Sequence, residues 1–143
     1  MKYINALTVA LTLSLALTSL ATVAAEAPAT KEHLVMQVSD ADPGKWNLAL
    51  SNAKNAQQDY GADKIEVEIV TYGPGIGMLK SDSAVAKRIE EAKQTGITIV
   101  ACQNTMRAMK LTESDMLPNT SYVPSGVVEL IKKQREGYAY IRP

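Results

Sequence analysis

Short apolar runs suited to β-strands alternate with stretches of helical spacing along this chain, and the alternation leaves few folds open to it. The runs are "HLVMQVS" (His33 to Ser39), "KIEVEIVTY" (Lys64 to Tyr72), "ITIVAC" (Ile97 to Cys102), "SYVPS" (Ser121 to Ser125) and "YAYIR" (Tyr138 to Arg142). Strands separated by helices pair in parallel and bury both faces of their sheet. The expectation is an α/β protein: a single three-layer α/β/α sandwich around a mainly parallel sheet of about five strands. Strand order cannot be read from periodicity.

The connecting segments carry their own signals. Asp42 and Pro43 are the pair expected at an N-cap and first helical position, and Gly61 is a natural stop after Tyr60. In the second run Ile65, Val67 and Ile69 alternate with Glu66 and Glu68, which predicts a strand with one partly wet face. Asp82 or Ser83 is expected to cap a helix ending near Gly96, and "KRIEEAK" reads as its solvated face with i,i+4 charge pairs. Asn104 or Thr105 is expected to open a short helix through Met109, and "TESD" (Thr112 to Asp115) fits a capping box. Pro124 limits how centrally the fourth strand can pair. Ser125 is expected to cap a last helix with Val127, Val128, Leu130 and Ile131 facing inward. Tyr138 and Tyr140 belong to an ordinary terminal strand, with an interface as the second reading.

Upstream of the first strand, Lys2, the uncharged stretch Ala6 to Leu20 and the small-residue run "ATVAAEAPA" have the order of a secretory signal peptide. Cleavage is expected after Ala25, with Ala27 as second choice, giving a periplasmic protein with a flexible lead-in from 26 to 32 and one domain from 33 to 143. Thr8, Thr12, Ser14 and Thr18 interrupt the apolar stretch, so no stable membrane insertion is expected. With 15 basic and 15 acidic residues the chain has no net charge, and nothing resembles a basic stripe for nucleic acid.

Cys102 is the only cysteine. An oxidising compartment permits disulfides, yet a lone thiol cannot close one within its own chain. It is a buried filler, a link between chains, or a reactive group. Its place at the end of the third strand favours neither packing nor reactivity decisively: helix N–H groups there would stabilise a thiolate, and an apolar strand end also buries cysteine well. The loop "YGPGIGML" (Tyr72 to Leu79) lacks the Lys-Ser/Thr ending of a phosphate loop. Its glycines serve turn geometry, or Gly75 and Gly77 form a wall beside Cys102 able to bind a small anion. Cys102, Met106 and Met109, at i, i+4 and i+7, make a soft-metal site conceivable, although methionines at that spacing are more often core. His33 is the only histidine and falls at the opposite sheet end from Cys102, and zinc has too few ligands. The residues assign no metal and no cofactor.

Taken in order, "QVSDADPGKWNLALSNAKN", "YGPGIGML", "ACQNTM", "VPSGVVEL" and "QREGYAYIRP" resemble the DsrE/DsrF-like family over essentially the whole of 33 to 143. The resemblance implies an α/β/α fold, a homo-oligomer (trimer or hexamer), and in active members a cysteine that carries sulfur as a persulfide. That role maps onto Cys102, with Gly75, Asn104, Thr105 and Pro124 as pocket residues. Sulfur donor and acceptor are not identifiable. The rival expectations are a non-enzymatic module that binds a small anion or soft metal, and a structural protein in which Cys102 is filler.

Overall fold

A computed structural model describes residues 31–143, and the expected signal peptide and most of the lead-in lie outside the described residues. The five strands are β1 (Glu32–Val38), β2 (Ile65–Thr71), β3 (Thr98–Cys102), β4 (Ser121–Val123) and β5 (Ala139–Ile141). They form one sheet in the order β4-β3-β2-β1-β5, and every pairing is parallel. The helices are α1 (Pro43–Tyr60), α2 (Ala86–Gln94), α3 (Gln103–Ala108) and α4 (Gly126–Arg135). The domain's first strand opens one residue before the expected boundary, at Glu32.

The strand order explains how the helices are distributed. β1, β2, β3 and β4 follow one another across the sheet, so right-handed crossovers put α1, α2 and α3 on one face. The step from β4 to β5 runs back across the sheet, which sends α4 to the other face. Two cores result. The larger packs Trp46, Ala49, Leu50 and Ala53 of α1, Ile89 of α2 and Met106 of α3 against Met36, Val67, Ile69 and Ile99. The smaller holds only Val35, Val70, Val100, Leu130 and Tyr138. At about 2 kcal/mol for each large apolar side chain buried, α4 is held by far less apolar contact than α1.

Local chemistry sets several boundaries. The Asp42 carboxylate accepts from the Gly44 amide at 2.8 Å, Pro43 occupies the first turn, and α1 stops at Gly61, whose φ is +95°. Thr112 and Asp115 form the expected capping box, on a 3-10 turn Glu113–Asp115. The glycine-rich loop is a 3-10 segment, Gly73–Leu79, that buries Ile76, Met78 and Leu79. α2 begins later than expected: Ser83 only accepts from the Val85 amide at 3.3 Å, and the helix proper starts at Ala86. Its Arg88 reaches across to α1, to Asn47 O at 3.2 Å and Ser51 Oγ at 3.1 Å. The i,i+4 pairs expected on this helix are absent from the ion pairs of the described residues.

On the α4 face one expectation is overturned and another is met only in part, at Glu66, whose side chain is 41% exposed. Val127, Val128 and Ile131 are 49%, 62% and 45% exposed, and only Leu130 of the four expected residues is buried. The side of α4 that meets the sheet carries Glu129 and Lys133 instead, with side chains only 14% and 12% exposed. The partly wet face of β2 is drier than its alternation implies, because Lys133 meets Glu68 at 3.1 Å and Glu68 is buried. Hydrophobic periodicity reads such a pair as solvated, whereas a buried carboxylate is tolerated where an opposite charge offsets part of its desolvation. Tyr138 is buried and Tyr140 exposed. Both edge strands, β4 and β5, are three residues long.

Candidate functional site

Adjacent strands β3 and β4 send their helices to opposite faces, and in parallel sheets ligands gather beyond the carboxyl ends of strands at such a switch point. Cys102 is the last residue of β3 and pairs with Val123, the last of β4. Val100, two residues earlier, belongs to the α4-side core, so strand alternation turns Cys102 toward α4. The thiol is 4% exposed.

α3 opens at Gln103, one residue before the earlier of the two expected starts, Asn104 or Thr105, and Cys102 is its N-cap: its Sγ accepts from the Thr105 amide at 3.4 Å. The Thr105 hydroxyl accepts from the Gly73 amide at 2.9 Å, leaving its own proton for the sulfur. From the other face comes the amide of Gly126, the first residue of α4. Burial pushes the Cys102 thiol up, but the Thr105 hydroxyl and the amides of Gly126, Thr105 and Asn104 together hold it below the ordinary thiol range. The Asn104 amide counts least, because it also donates to Pro124 O at 3.2 Å. That bond ties the start of α3 to the end of β4.

Of the residues expected to form the site, Asn104, Thr105 and Pro124 therefore gather around Cys102. Gly75 and Gly77 have packing duties instead. A Cβ on Gly75 would lie 2.3 Å from Val38 O, so the loop lies directly on the end of β1, and one on Gly77 would lie 3.2 Å from the Trp46 ring. The loop reaches the site through Gly73. Met106 belongs to the larger core, and α3 ends at Ala108, so the helix on which Cys102, Met106 and Met109 would share a face is too short. No group of three or more His, Cys, Asp or Glu able to hold a metal occurs among the described residues. His33 pairs with Glu66 near the start of β1. Six residues separate it from the level of Cys102, about 20 Å along the strands, so no Cys-His couple forms.

Sequence reasoning missed Gly126 and Tyr72. A Cβ on Gly126 would lie 3.0 Å from Tyr72 Cβ, so glycine here eases the close approach of α4 to the end of β2. The glycine after Pro-Ser in "VPSGVVEL" was the available signal, and strand order was needed to place it. A separate cavity of about 630 Å³ runs along α2 past Lys87, Glu90, Lys93 and Leu117, and its lining contains neither cysteine nor histidine.

Two solved structures share this architecture. MTH1491 from Methanobacterium thermoautotrophicum, a protein of unknown function, is 32% identical, with a TM-score of 0.75, over 79% of this chain and 100% of its own. BT1422 from Bacteroides thetaiotaomicron, a conserved protein of unknown function, is 16% identical, with a TM-score of 0.60, over 78% of this chain and 95% of its own, and shares the fold alone. No curated protein matches the chain. The model of the DsrE/DsrF-like family matches residues 33–143, the strands, the glycine-rich loop and Cys102 included. On that match the chain belongs to the DsrE/DsrF-like family.

Proposed function

We propose that this protein is an exported sulfur carrier that holds sulfane sulfur as a persulfide on Cys102. The observation that carries the reading is the thiol itself, at a strand end with the Thr105 amide 3.4 Å from Sγ and the Gly126 amide on its other side. Donors aimed at sulfur favour the thiolate, which is the nucleophile in sulfur exchange and the better leaving group when sulfur moves on. The Cys102 thiolate attacks the outer sulfur of a donor R–S–SH; the S–S bond breaks, R–S⁻ leaves, and Cys102–S–SH remains. An acceptor thiolate then takes that outer sulfur by the same displacement and returns Cys102 to the thiolate. No electrons are gained or lost overall, so no redox cofactor is required. Export through the 1–25 segment would place this exchange in the periplasm.

The test is intact-mass measurement of residues 26–143 after exposure to polysulfide. The expected result is a gain of one sulfur atom, reversed by reductant and blocked by prior alkylation of the thiol. Absence of a reducible adduct would favour a second reading, supported by the 4% exposure of Cys102, in which the thiol only caps α3 and the protein is a binding module.

The family resemblance and α4 together support a homo-oligomer, a trimer or hexamer. Val127, Val128 and Ile131 place an apolar stripe on the outer side of a helix whose inner side is partly charged. Light scattering on a sizing column should give a multiple of the chain mass, and Val128→Asp should shift it toward the single chain. A wild type that elutes as a monomer at micromolar concentration would remove the assembly. Among the described residues no helix is long and apolar enough to cross a membrane.

A further inference from the structure

We infer that the Lys133–Glu68 ion pair positions α4 on β2 so that the Gly126 amide at the helix's other end stays against Cys102. Both ends of the contact lie on one strand and its exit. Lys133 Nζ is 3.1 Å from Glu68 Oε2 on β2, and Gly126 packs on Tyr72, which follows the last residue of β2. From Gly126 to Lys133 is about 10 Å along a helix axis, and Glu68 to Tyr72 is about 13 Å along a strand, so the helix is pinned at two comparably spaced points.

Between the pins, apolar contact is slight, with Leu130 the only α4 member of the smaller core. The charged contact is correspondingly dense. Lys133 faces Glu68 and, at 3.8 Å, Glu66 from β2, and its ammonium lies 4.6 Å from the ring centre of Tyr138. His33 of β1 stands 3.9 Å from Glu66, Tyr138 OH bonds Glu66, and Glu129 approaches Glu68 from α4 itself. Glu68 is only 5% exposed, and its Oε1 has no hydrogen-bond partner among the described residues. Its charge is therefore compensated at the other oxygen, by Lys133. Burial pushes the Glu68 carboxyl up, against the pull of Lys133.

Removal of either partner strands a buried charge, which drives local opening rather than a quiet loss of one contact. A tilt of about 10° pivoting at Leu130, about 6 Å of helix from Gly126, displaces that amide by about 1 Å, enough to weaken its electrostatic hold on the sulfur. Lys133 and Glu68 are positioning residues, since neither touches the thiol.

The role assigned to them rests on the sulfur-carrier reading, but the test does not: it measures the rate of iodoacetamide alkylation of Cys102 against pH in residues 26–143. Lys133→Met and Glu68→Gln should each move the inflection of the profile to higher pH, so that the thiolate fraction at pH 7 falls about threefold to tenfold. Lys133→Arg should keep the wild-type profile. The double variant Glu68→Gln/Lys133→Met, with no charge left to strand, should return to within about twofold of wild type. Wild-type profiles in both single variants would overturn the inference. So would a double variant as displaced as Lys133→Met, because the lysine charge would then be acting through space. Displaced profiles in the single variants, beside a wild type that takes up no sulfur, would refute the carrier reading alone and support the positioning role of the ion pair.

Discussion

Cys102→Ser should abolish the reducible sulfur adduct while leaving the fold intact. The exchange replaces one atom at a site already shaped for an acceptor: a serine oxygen can still take the Thr105 amide and still cap α3. Stability should change by no more than about 1 kcal/mol. Chemistry changes much more. A serine hydroxyl needs a general base to become a nucleophile, and the chain's one histidine, His33, lies about 20 Å away along the sheet. No oxygen counterpart of the persulfide can form at neutral pH, so mass measured after polysulfide treatment should equal that of the untreated variant. A reducible adduct on the serine variant would mean that sulfur is held elsewhere, which a chain with a single cysteine does not allow.

Gly75→Ala should be the most damaging small substitution in the loop. The added Cβ would lie 2.3 Å from Val38 O, 2.6 Å from Val38 C and 2.8 Å from Ser39 Cα, all backbone atoms of the end of β1. None can rotate away, and the neighbouring bonds resist translation: Val38 O accepts from Tyr72 N at 3.1 Å, and Gly75 N donates to Tyr72 O at 3.1 Å. Relief must come from moving the 3-10 segment, which drags the buried Ile76, Met78 and Leu79 with it. The expected loss is about 3 kcal/mol, or a melting temperature about 15 °C lower by calorimetry. Gly77→Ala is the internal comparison. Its Cβ meets only the Trp46 ring at 3.2 Å, a side chain able to yield by tenths of an ångström, and about 1 kcal/mol is expected. Equal melting temperatures for the two variants would refute the close-approach account of Gly75.

The contrast between these glycines shows what a sequence conveys. "YGPGIGML" announces that small residues are needed, yet only the fold reveals that Gly75 yields to a backbone and Gly77 to an indole. α1 was legible end to end, because Asp42, Pro43 and Gly61 act through neighbours a few residues away. Cys102 and Thr105 were legible for the same reason, as a strand end running directly into a helix. Gly126 was not, since its approach to Cys102 depends on β4 lying beside β3, a fact of strand order. The orientation of α4 failed differently. Hydrophobicity marks Val127, Val128 and Ile131 as wanting a partner without saying which, and the buried side of the helix was claimed by a lysine whose carboxylate lies some sixty residues earlier.

The three-residue edge strands bear on how copies of this chain can meet. Each exposes too few amides and carbonyls for an incoming strand to zip onto, and Pro124, immediately after β4, withholds one N–H more. Backbone pairing is indifferent to sequence and has no natural end, which is how fibrils grow. A chain that blunts both rims of its sheet leaves any recognition between copies to side chains, whose shape and chemistry can end an assembly at a fixed number.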